Sequence, residues 1–457
     1  MHLHILGICG TFMAGIAQLA RELGHRVTGS DAGVYPPMSD FLTGSGITLY
    51  AGWDPAHLEP RPDLVIIGNA LSRGNPLVEA TLNARIPYTS GPAWLAREVL
   101  SSRHVLAVSG THGKTTTTSL LAYFLDATGF APGFLVGGIP ENFGVPARLG
   151  GGNLFVIEAD EYDTAFFDKR SKFIHYQPST LVINNVEFDH ADIFQDLAAI
   201  ETQFHHLVRT VPGNGRILFN AEDPNIPRIL SRGCWSGCQR FGRGPEADWR
   251  ISAHSAADWQ ISIPGQSTTL VMDTPLLGEH NALNAAAAIA AASHVGLSPA
   301  DAMSVLPGFL SVKRRLENLG TVDGVTVYDD FAHHPTAIAA TLRALRRLVG
   351  DQRILAVLEP RSNTMRMGVH AGTLADSLAT ADAVVLHAPP SLGWDAGAAV
   401  AVLGSRAVVT HDEESLLKAT LDASVPGTRV LIMSNGAFGG LHRKLLAALD
   451  ARGGATP

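Results

Sequence analysis

The sequence predicts an α/β protein of about three domains, each built on a largely parallel sheet with helical crossovers. Three observations carry that expectation. The chain has 457 residues, and domains run to roughly 150 residues each. Short apolar runs alternate along it with longer amphipathic stretches, the pattern of repeated strand–helix–strand units. The composition, 46% hydrophobic and 17% charged, supplies several buried cores and excludes disorder.

The first block opens with the strand HLHILGI (2–8), a helix around 12–24 and the strand RVTGSD (26–31). The apolar run DLVIIGN (63–69) and a helix near 92–100 follow, and the polar break SSRHV (101–105) marks the first boundary. The second block begins with VLAVSG (105–110), a glycine-containing loop and a helix from about 114. Its further strands are LFVIEAD (154–160), TLVINN (180–185) and RILFN (216–220). The polar, alternating stretch 240–274 predicts an antiparallel lobe, before an alanine-rich helix at 281–296 and a linker with a basic end at 307–315. The third block carries strands VTVYDD (325–330), RILAVLEP (353–360), ADAVVLH (381–387) and RVLIMSN (429–435), with helices at 335–349 and 438–450.

Bulk properties narrow the function classes. A formal net charge of −8 argues against a dedicated nucleic-acid binder, which needs a basic face. No apolar run reaches the roughly 18 residues of a membrane span, so no membrane insertion is expected. The N-terminus MHLHILGICGT lacks a basic n-region and reads as a first strand, not a signal peptide. Three cysteines are too few for a disulfide framework, in keeping with a reducing cytoplasm. Cys234 and Cys238 have no second Cys/His pair at zinc spacing. His205 and His206 fall in a helical pattern as one core and one surface residue.

The sharpest local feature is Gly110-Thr111-His112-Gly113-Lys114-Thr115-Thr116, between an apolar strand and a helix. Backbone N–H groups of such a loop, with the helix N-terminus, form a concave donor site for nucleotide phosphates. Lys114 would neutralise terminal phosphate charge and the Thr115 hydroxyl would ligate magnesium. Val108 replaces the first glycine of the strict eight-residue pattern. The strand–loop–helix context nevertheless favours phosphate over an ordinary turn with a surface lysine.

Magnesium needs hard oxygen ligands, and two later strand ends supply them. Glu158, Asp160, Glu161 and Asp163 follow one strand; Glu187, Asp189, His190 and Asp192 follow the next. Ligands of open α/β sheets gather at the carboxyl ends of strands, so both clusters can face the phosphate loop. Most of these acids are expected to be solvated loop charges, with Glu158 and His190 the metal candidates.

Gly7-Ile8-Cys9-Gly10, with Gly15 beyond and Asp31 ending the second strand, has a dinucleotide-fold arrangement whose spacing fails the G-x-G-x-x-G fingerprint. It fits a diphosphate-bearing ligand, and a nicotinamide dehydrogenase is the rival. His280, Asn281 and Asn284 open the alanine-rich helix, where they can contact a base or simply cap the helix. Asp329-Asp330-Phe331-Ala332-His333-His334-Pro335 can bind ribose, orient an amine or accept a proton, or be no more than a polar helix start.

Taken in order, GICGTFMAGIA, GSD, GTHGKTTT, IEADEYD, NNVEFDHAD, GEHNALN, KRR and YDDFAHHPT resemble the Mur ligases. These are ATP-dependent enzymes that attach amino acids or peptides to UDP-muramoyl precursors, and the resemblance spans essentially the whole chain. GTHGKTTT, HNALNA and DDFAHHPT are similar to the branch that adds L-alanine to UDP-N-acetylmuramate. SDAGVYPPMS, IIGNALSRGNP, EADEYDTAFFDKRSKF, EFDHADIF, EPRSNTMRMG and MSNGAFGGLHRKLL are closer to its recycling paralogue. That paralogue joins the murein tripeptide L-alanyl-γ-D-glutamyl-meso-diaminopimelate to the same sugar nucleotide.

The resemblance implies a three-domain Mur ligase architecture. A Rossmann-like UDP-sugar domain (1–103) precedes a P-loop ATPase domain (104–312) and a Rossmann-like C-terminal domain (313–457). It implies ATP as co-substrate with Mg2+, UDP-N-acetylmuramate on Gly7, Cys9, Gly10, Thr11 and Asp31, and ATP phosphates on residues 110–116. Thr115, Glu158 and His190 would serve magnesium; His280, Asn281, Asn284, Arg315 and Asp330 would approach the nucleotide. Lys114, His190 and His334 would act in catalysis, and His334 would face the incoming peptide with the loops carrying Arg361, Arg366, Ser434 and Asn435.

Two departures stand out. Residues 184–215 contain no lysine, so the carbamylated lysine by which several relatives hold a second magnesium is absent. The Asp-Asn-Pro-Arg element of the diaminopimelate-adding ligase is also missing, which leaves Arg361 and Arg366 to grip a terminal carboxylate. A P-loop switch or motor without a small-molecule acceptor is the third class in play.

Overall fold

The computed structural model describes residues 1–34, 38–255, 258–267, 269–274 and 276–453. Part of the SDAGVYPPMS stretch, residues 35–37, therefore lies outside the described residues.

The first sheet contains β1 (His2–Leu6), β2 (Arg26–Asp31), β3 (Thr48–Ala51), β4 (Leu64–Ile67) and β5 (Tyr88–Ser90). All are parallel, in the order β3-β2-β1-β4-β5. The chain leaves β1 toward β2 and later returns to β1's other side as β4. The crevice beyond the carboxyl end of β1 is thus the topological switch point where ligands of such sheets bind.

Among the described residues the central sheet has ten strands. β6 (His104–Ser109), β7 (Gly133–Leu135), β8 (Ala147–Arg148) and β9 (Leu154–Ala159) precede a small hairpin of β10 (Asp163–Ala165) and β11 (Asp168–Ser171) outside it. β12 (Thr180–Ile183), β13 (Arg216–Asn220), β14 (Gly237–Gly242), β15 (Trp249–Ala253), β16 (Trp259–Ser262) and β17 (Thr269–Met272) complete the sheet. β6 lies between β9 and β12 with both neighbours parallel. Helices cover both faces, so Val105–Val108 and Leu181–Ile183 are buried continuously and the runs are apolar without alternation. The antiparallel pairing expected of the 240–274 region is found in its last three strands. β15–β17 are antiparallel, but β15 pairs in parallel with β14, so the region extends the central sheet.

The third sheet runs β18-β19-β23-β20-β21-β22, from β18 (Glu317–Val322), β19 (Val325–Asp330), β20 (Ile354–Leu358), β21 (Ala383–His387), β22 (Ala407–Thr410) and β23 (Arg429–Met433). Only β18 is antiparallel, as a hairpin on β19. The helix Pro335–Val349 starts with proline in its first turn, and His334 caps it by accepting the Thr336 N–H at 3.3 Å. His205 and His206 are both half-buried, so neither is the core residue expected.

The two domain junctions differ in kind. One hydrophobic cluster runs continuously from Leu3 and Ile5 of the first sheet and Ile16 of the helix behind it to Leu135, Ala147 and Phe155 of the second sheet. The third sheet keeps its own clusters and meets the central domain through polar groups. The Thr336 hydroxyl donates to Glu187 (2.6 Å), the Thr364 hydroxyl to Asp189 (2.6 Å) and the Asn363 amide to Asp192 (2.7 Å).

Candidate active site

The phosphate-loop sequence leaves β6 through Gly110, whose φ of +131° is open to glycine. A Cβ there would lie 3.0 Å from Asn184 Cβ and from the Asn185 backbone. Those two asparagines end β12, beside β6, and they hold the loop. Asn185 accepts the Thr111 N–H through its carbonyl (3.0 Å) and the His112 N–H through its side chain (2.7 Å). The Asn184 amide donates to Thr117 Oγ1 at 3.1 Å. Gly113, at φ +78°, precedes the helix Lys114–Ala127 and lies so close to Asn284 that a Cβ would come within 2.5 Å of its Oδ1.

Lys114 folds back under the loop. Its Nζ donates to the Gly110 carbonyl (2.7 Å) and to Glu161 (2.9 Å), with Asp160 at 3.4 Å. Burial opposes its charge, but Glu161, Asp160 and Glu158 outweigh burial and hold its pKa above the ordinary lysine value. Thr115 Oγ1 donates to Glu158 Oε1 (2.9 Å), and the Gly137 N–H donates to Oε2 (2.7 Å). A Cβ on Gly137 would sit 2.9 Å from both Glu158 oxygens. Burial, reinforced by Asp160, pushes the Glu158 carboxyl up to about 7.

Several acids expected as solvated loop charges are buried and committed. Glu161, 2% exposed, bridges Lys114 and His190, whose Nε2 lies 3.0 Å from its Oε1. His190 adopts φ +55°, a left-handed conformation uncommon for a residue with a Cβ. Its N–H donates to Asp189 (2.7 Å) and its ring lies against Tyr162. Burial works against protonation, but Glu161 and Asp189 raise its pKa overall. His190 and Glu158 are linked through Glu161 and Lys114. Glu187 sits between His112 and His334, and its pKa is held low, against burial, by the His112 ring beside it.

At the start of the helix Glu279–His294, His280 is half-buried, and desolvation, with Arg315 and Arg343, lowers its pKa to about 4. The Asn284 amide donates to Asn281 Oδ1 (3.1 Å), while Asn281 donates to the Leu277 carbonyl (2.8 Å). Arg315 lies over the Phe331 ring. Asp330 is more internal than expected. Its two oxygens accept the Leu316 and Ala332 N–H groups (2.8 Å each), fastening the linker to β19.

In the third domain Arg361 and Arg366 are exposed and His334 is buried. Burial, then the rings of His112 and His370, push His334 down to about 3. Ser434 is fully buried, donating to Glu359 (2.5 Å) and accepting the Gly436 N–H (2.9 Å), so it shapes the loop that seats Arg361 over Gly436. This corrects the expectation that Ser434 faces the acceptor. Asn435, half-buried, has an Oδ1 with no hydrogen-bond partner among the described residues.

The first-domain loop turns at Gly7 (φ +78°) and enters the helix Thr11–Glu22 after Gly10. Asp31 faces it, but its oxygens accept the N–H groups of Cys9 and Gly33 (2.9 Å each), so it organises the loop. Asn184, Asn185, Gly137 and Thr364 were not anticipated as site residues. Only the strand order and the third domain's placement bring them to the loop.

Three layered sheets around a lysine-bearing phosphate loop define a nucleotide-handling ligase architecture, and family comparisons give it a name. The description "Mur ligase family, catalytic domain" matches residues 2–103, "Mur ligase middle domain" 108–292 and "Mur ligase, glutamate ligase domain" 314–436. The chain belongs to the Mur ligase family. It is 54% identical over 450 residues, 98% of each chain, to the UDP-N-acetylmuramate–L-alanyl-γ-D-glutamyl-meso-2,6-diaminoheptandioate ligase of Escherichia coli K12. A murein peptide ligase structure from Psychrobacter arcticus 273-4 matches with 43% identity, a TM-score of 0.77 and coverage of 98% of this chain and 99% of that one. A UDP-N-acetylmuramate–L-alanine ligase of Mycobacterium sp. JLS is 34% identical over 475 residues, 99% of this chain and 96% of its own. Among the described residues no helix is long and apolar enough to cross a membrane.

Proposed function

We propose that the chain is the ligase of peptidoglycan recycling that joins L-alanyl-γ-D-glutamyl-meso-diaminopimelate to UDP-N-acetylmuramate, converting ATP to ADP and phosphate. The observation that carries this reading is the identity gap: 54% to a tripeptide-adding relative against 34% to an alanine-adding one, each across nearly the whole chain.

A carboxylate is a poor electrophile, so the muramoyl carboxylate first takes the ATP γ-phosphoryl group. The α-amine of the tripeptide then attacks the acyl phosphate, and the tetrahedral intermediate expels phosphate. In this reading residues 1–103 take the UDP-sugar on the Gly7–Thr11 loop, 104–312 hold ATP, and 313–457 present the acceptor. Lys114 exchanges its carboxylate partners for β- and γ-phosphate oxygens, while Gly110–Thr116 supplies N–H donors. His280, Asn281 and Asn284 line the base side, with Arg315 over the nucleotide from the third domain.

The hard-oxygen set Thr115 Oγ1 and Glu158, kept clear by the absence of a side chain on Gly137, suits magnesium, with His190 completing the donors. Magnesium there supplies charge neutralisation of the phosphates. His334, held neutral, faces the incoming α-amine, which must shed its proton before it can attack the acyl phosphate. Arg361 and Arg366 have no side-chain ion pair among the described residues and are exposed beside the loop. Their forked guanidinium groups suit the carboxylates of diaminopimelate.

The deciding experiment measures ADP release with UDP-N-acetylmuramate plus tripeptide against UDP-N-acetylmuramate plus L-alanine. The tripeptide is expected to be the far better acceptor. Preference for alanine reassigns the chain to the alanine-adding branch. ATP hydrolysis indifferent to the sugar nucleotide points to a phosphate-loop switch, and NAD(H) binding points to a dehydrogenase.

A further inference from the structure

A second donor set lies between the phosphate loop and the third domain, apart from Thr115 and Glu158. His112 Nε2 stands 3.6 Å from Glu187 Oε2, and His334 Nδ1 stands 3.5 Å from the same oxygen. One donor atom from each of the three residues lies within 4.8 Å of the others. Both nitrogen–oxygen separations exceed the roughly 2.7–2.9 Å of a charge-assisted hydrogen bond. His112 Nε2 is buried without a hydrogen-bond partner among the described residues. Buried polar atoms of that kind call for an explanation.

A shared cation provides one. Tetrahedral zinc with bonds of about 2.0–2.1 Å sets its ligand atoms about 3.3–3.4 Å apart. The two separations to Glu187 Oε2 exceed this by only a few tenths of an ångström, and the two histidine nitrogens lie within 4.8 Å of one another, so side-chain rotations can close the set. Supporting hydrogen bonds orient the ligands as metal sites require. The Thr336 hydroxyl fixes Glu187 at 2.6 Å, and the His112 backbone N–H, donating to the Asn185 side chain at 2.7 Å, holds the main chain that carries the ring. His334 Nδ1 makes only the 3.3 Å contact from the Thr336 N–H.

Two imidazoles and one carboxylate favour a first-row transition ion over magnesium, which prefers all-oxygen surroundings. We propose that His112, Glu187 and His334 form a site for a divalent transition ion of the zinc class, bridging the phosphate loop and the third domain. His112 and Glu187 come from the central domain and His334 from the third, so the bound ion ties one to the other. The proposal is independent of which acceptor the enzyme uses.

Cobalt(II) is the probe, titrated into nucleotide-free protein with excess Mg2+ present to occupy the oxygen site. One equivalent is expected to bind with the intense visible absorption of four-coordinate cobalt, and Zn2+ should displace it. Glu187→Gln and His334→Gln should each weaken binding at least about tenfold, whereas Glu158→Gln should leave the spectrum intact. Should one variant fail to fold, the other still carries the test. The proposal is overturned by six-coordinate or absent cobalt absorption, by a spectrum insensitive to Glu187→Gln and His334→Gln, or by its loss in Glu158→Gln alone. Because the readout is spectroscopic, failure of the ligase assignment leaves it unaffected.

Discussion

Two glycine loops, Gly7–Gly10 and Gly110–Gly113, each leave a parallel strand and start a helix, yet their electrostatics are opposite. Asp31 gathers the Cys9 and Gly33 N–H groups at the first loop, where no lysine enters the helix. The second opens its helix with a buried Lys114 that Glu161, Asp160 and Glu158 keep charged. Similar backbone turns therefore serve different ends. On the proposed function, the first holds a ligand that is not transformed at the loop and the second manages charge that moves during reaction. Damage to the first should appear in KM and damage to the second in kcat.

The largest effect is expected from Lys114→Met. Loss of the cation that neutralises the transferring phosphoryl group should lower kcat by at least about 10³-fold. UDP-N-acetylmuramate binding, measured by calorimetry, should be essentially unchanged. The substitution also takes from Glu161 one of its two partners, leaving His190; breaking a buried pair outright costs about 3–5 kcal/mol, so thermal unfolding should be measured beside turnover. Full turnover would dismiss the phosphate-loop assignment.

Gly137→Ala should come next. Its Cβ would approach both Glu158 oxygens at 2.9 Å, displacing the carboxylate from Thr115 Oγ1 and the Gly137 N–H. The Mg2+ concentration for half-maximal rate should rise about 10–100-fold, as for other losses of metal-site support. An unchanged Mg2+ requirement would remove Glu158 from the metal set.

Glu158 also predicts a pH dependence. Its pKa is raised from 4.5 to about 7, principally by burial. Between those values the folded state keeps a proton that the unfolded state has lost. This group's contribution to stability therefore falls as pH rises from about 4.5 to about 7, and levels off above. Magnesium requires the carboxylate, so apparent Mg2+ affinity should climb about tenfold per pH unit up to about 7. Glu158→Gln should flatten both trends.

What the chain announced locally was legible: the glycine–lysine loop between strand and helix, and Glu158 at the end of an apolar run. What depended on strand order was not. Asn184 and Asn185 reach the loop only because β12 lies beside β6, and Gly137 matters only because β7 neighbours β9. Glu161 and Glu187 look like loop charges in one dimension, but Lys114 and His190 bury the first and the third domain half covers the second. Ser434 ends an apolar strand as an active-site serine would, but the Glu359 carboxylate opposite claims its hydroxyl.

The smallest effect is expected from Asp31→Asn, the counterpart of Lys114→Met on the other loop. Asp31 presents an acceptor oxygen to each of two N–H groups, whereas an asparagine offers one oxygen and turns an NH2 toward the second. Leaving one donor unmatched costs about 1–3 kcal/mol when buried, and this half-buried site should stay near the lower end. The loop that receives the sugar nucleotide would loosen, raising KM for UDP-N-acetylmuramate about tenfold, since about 1.4 kcal/mol corresponds to that factor. kcat at saturating substrate should hold, because nothing at this loop changes charge between bound substrate and transition state. A fall in kcat comparable to that of Lys114→Met would mean that the two loops act as one catalytic unit and that their electrostatic contrast has no functional meaning.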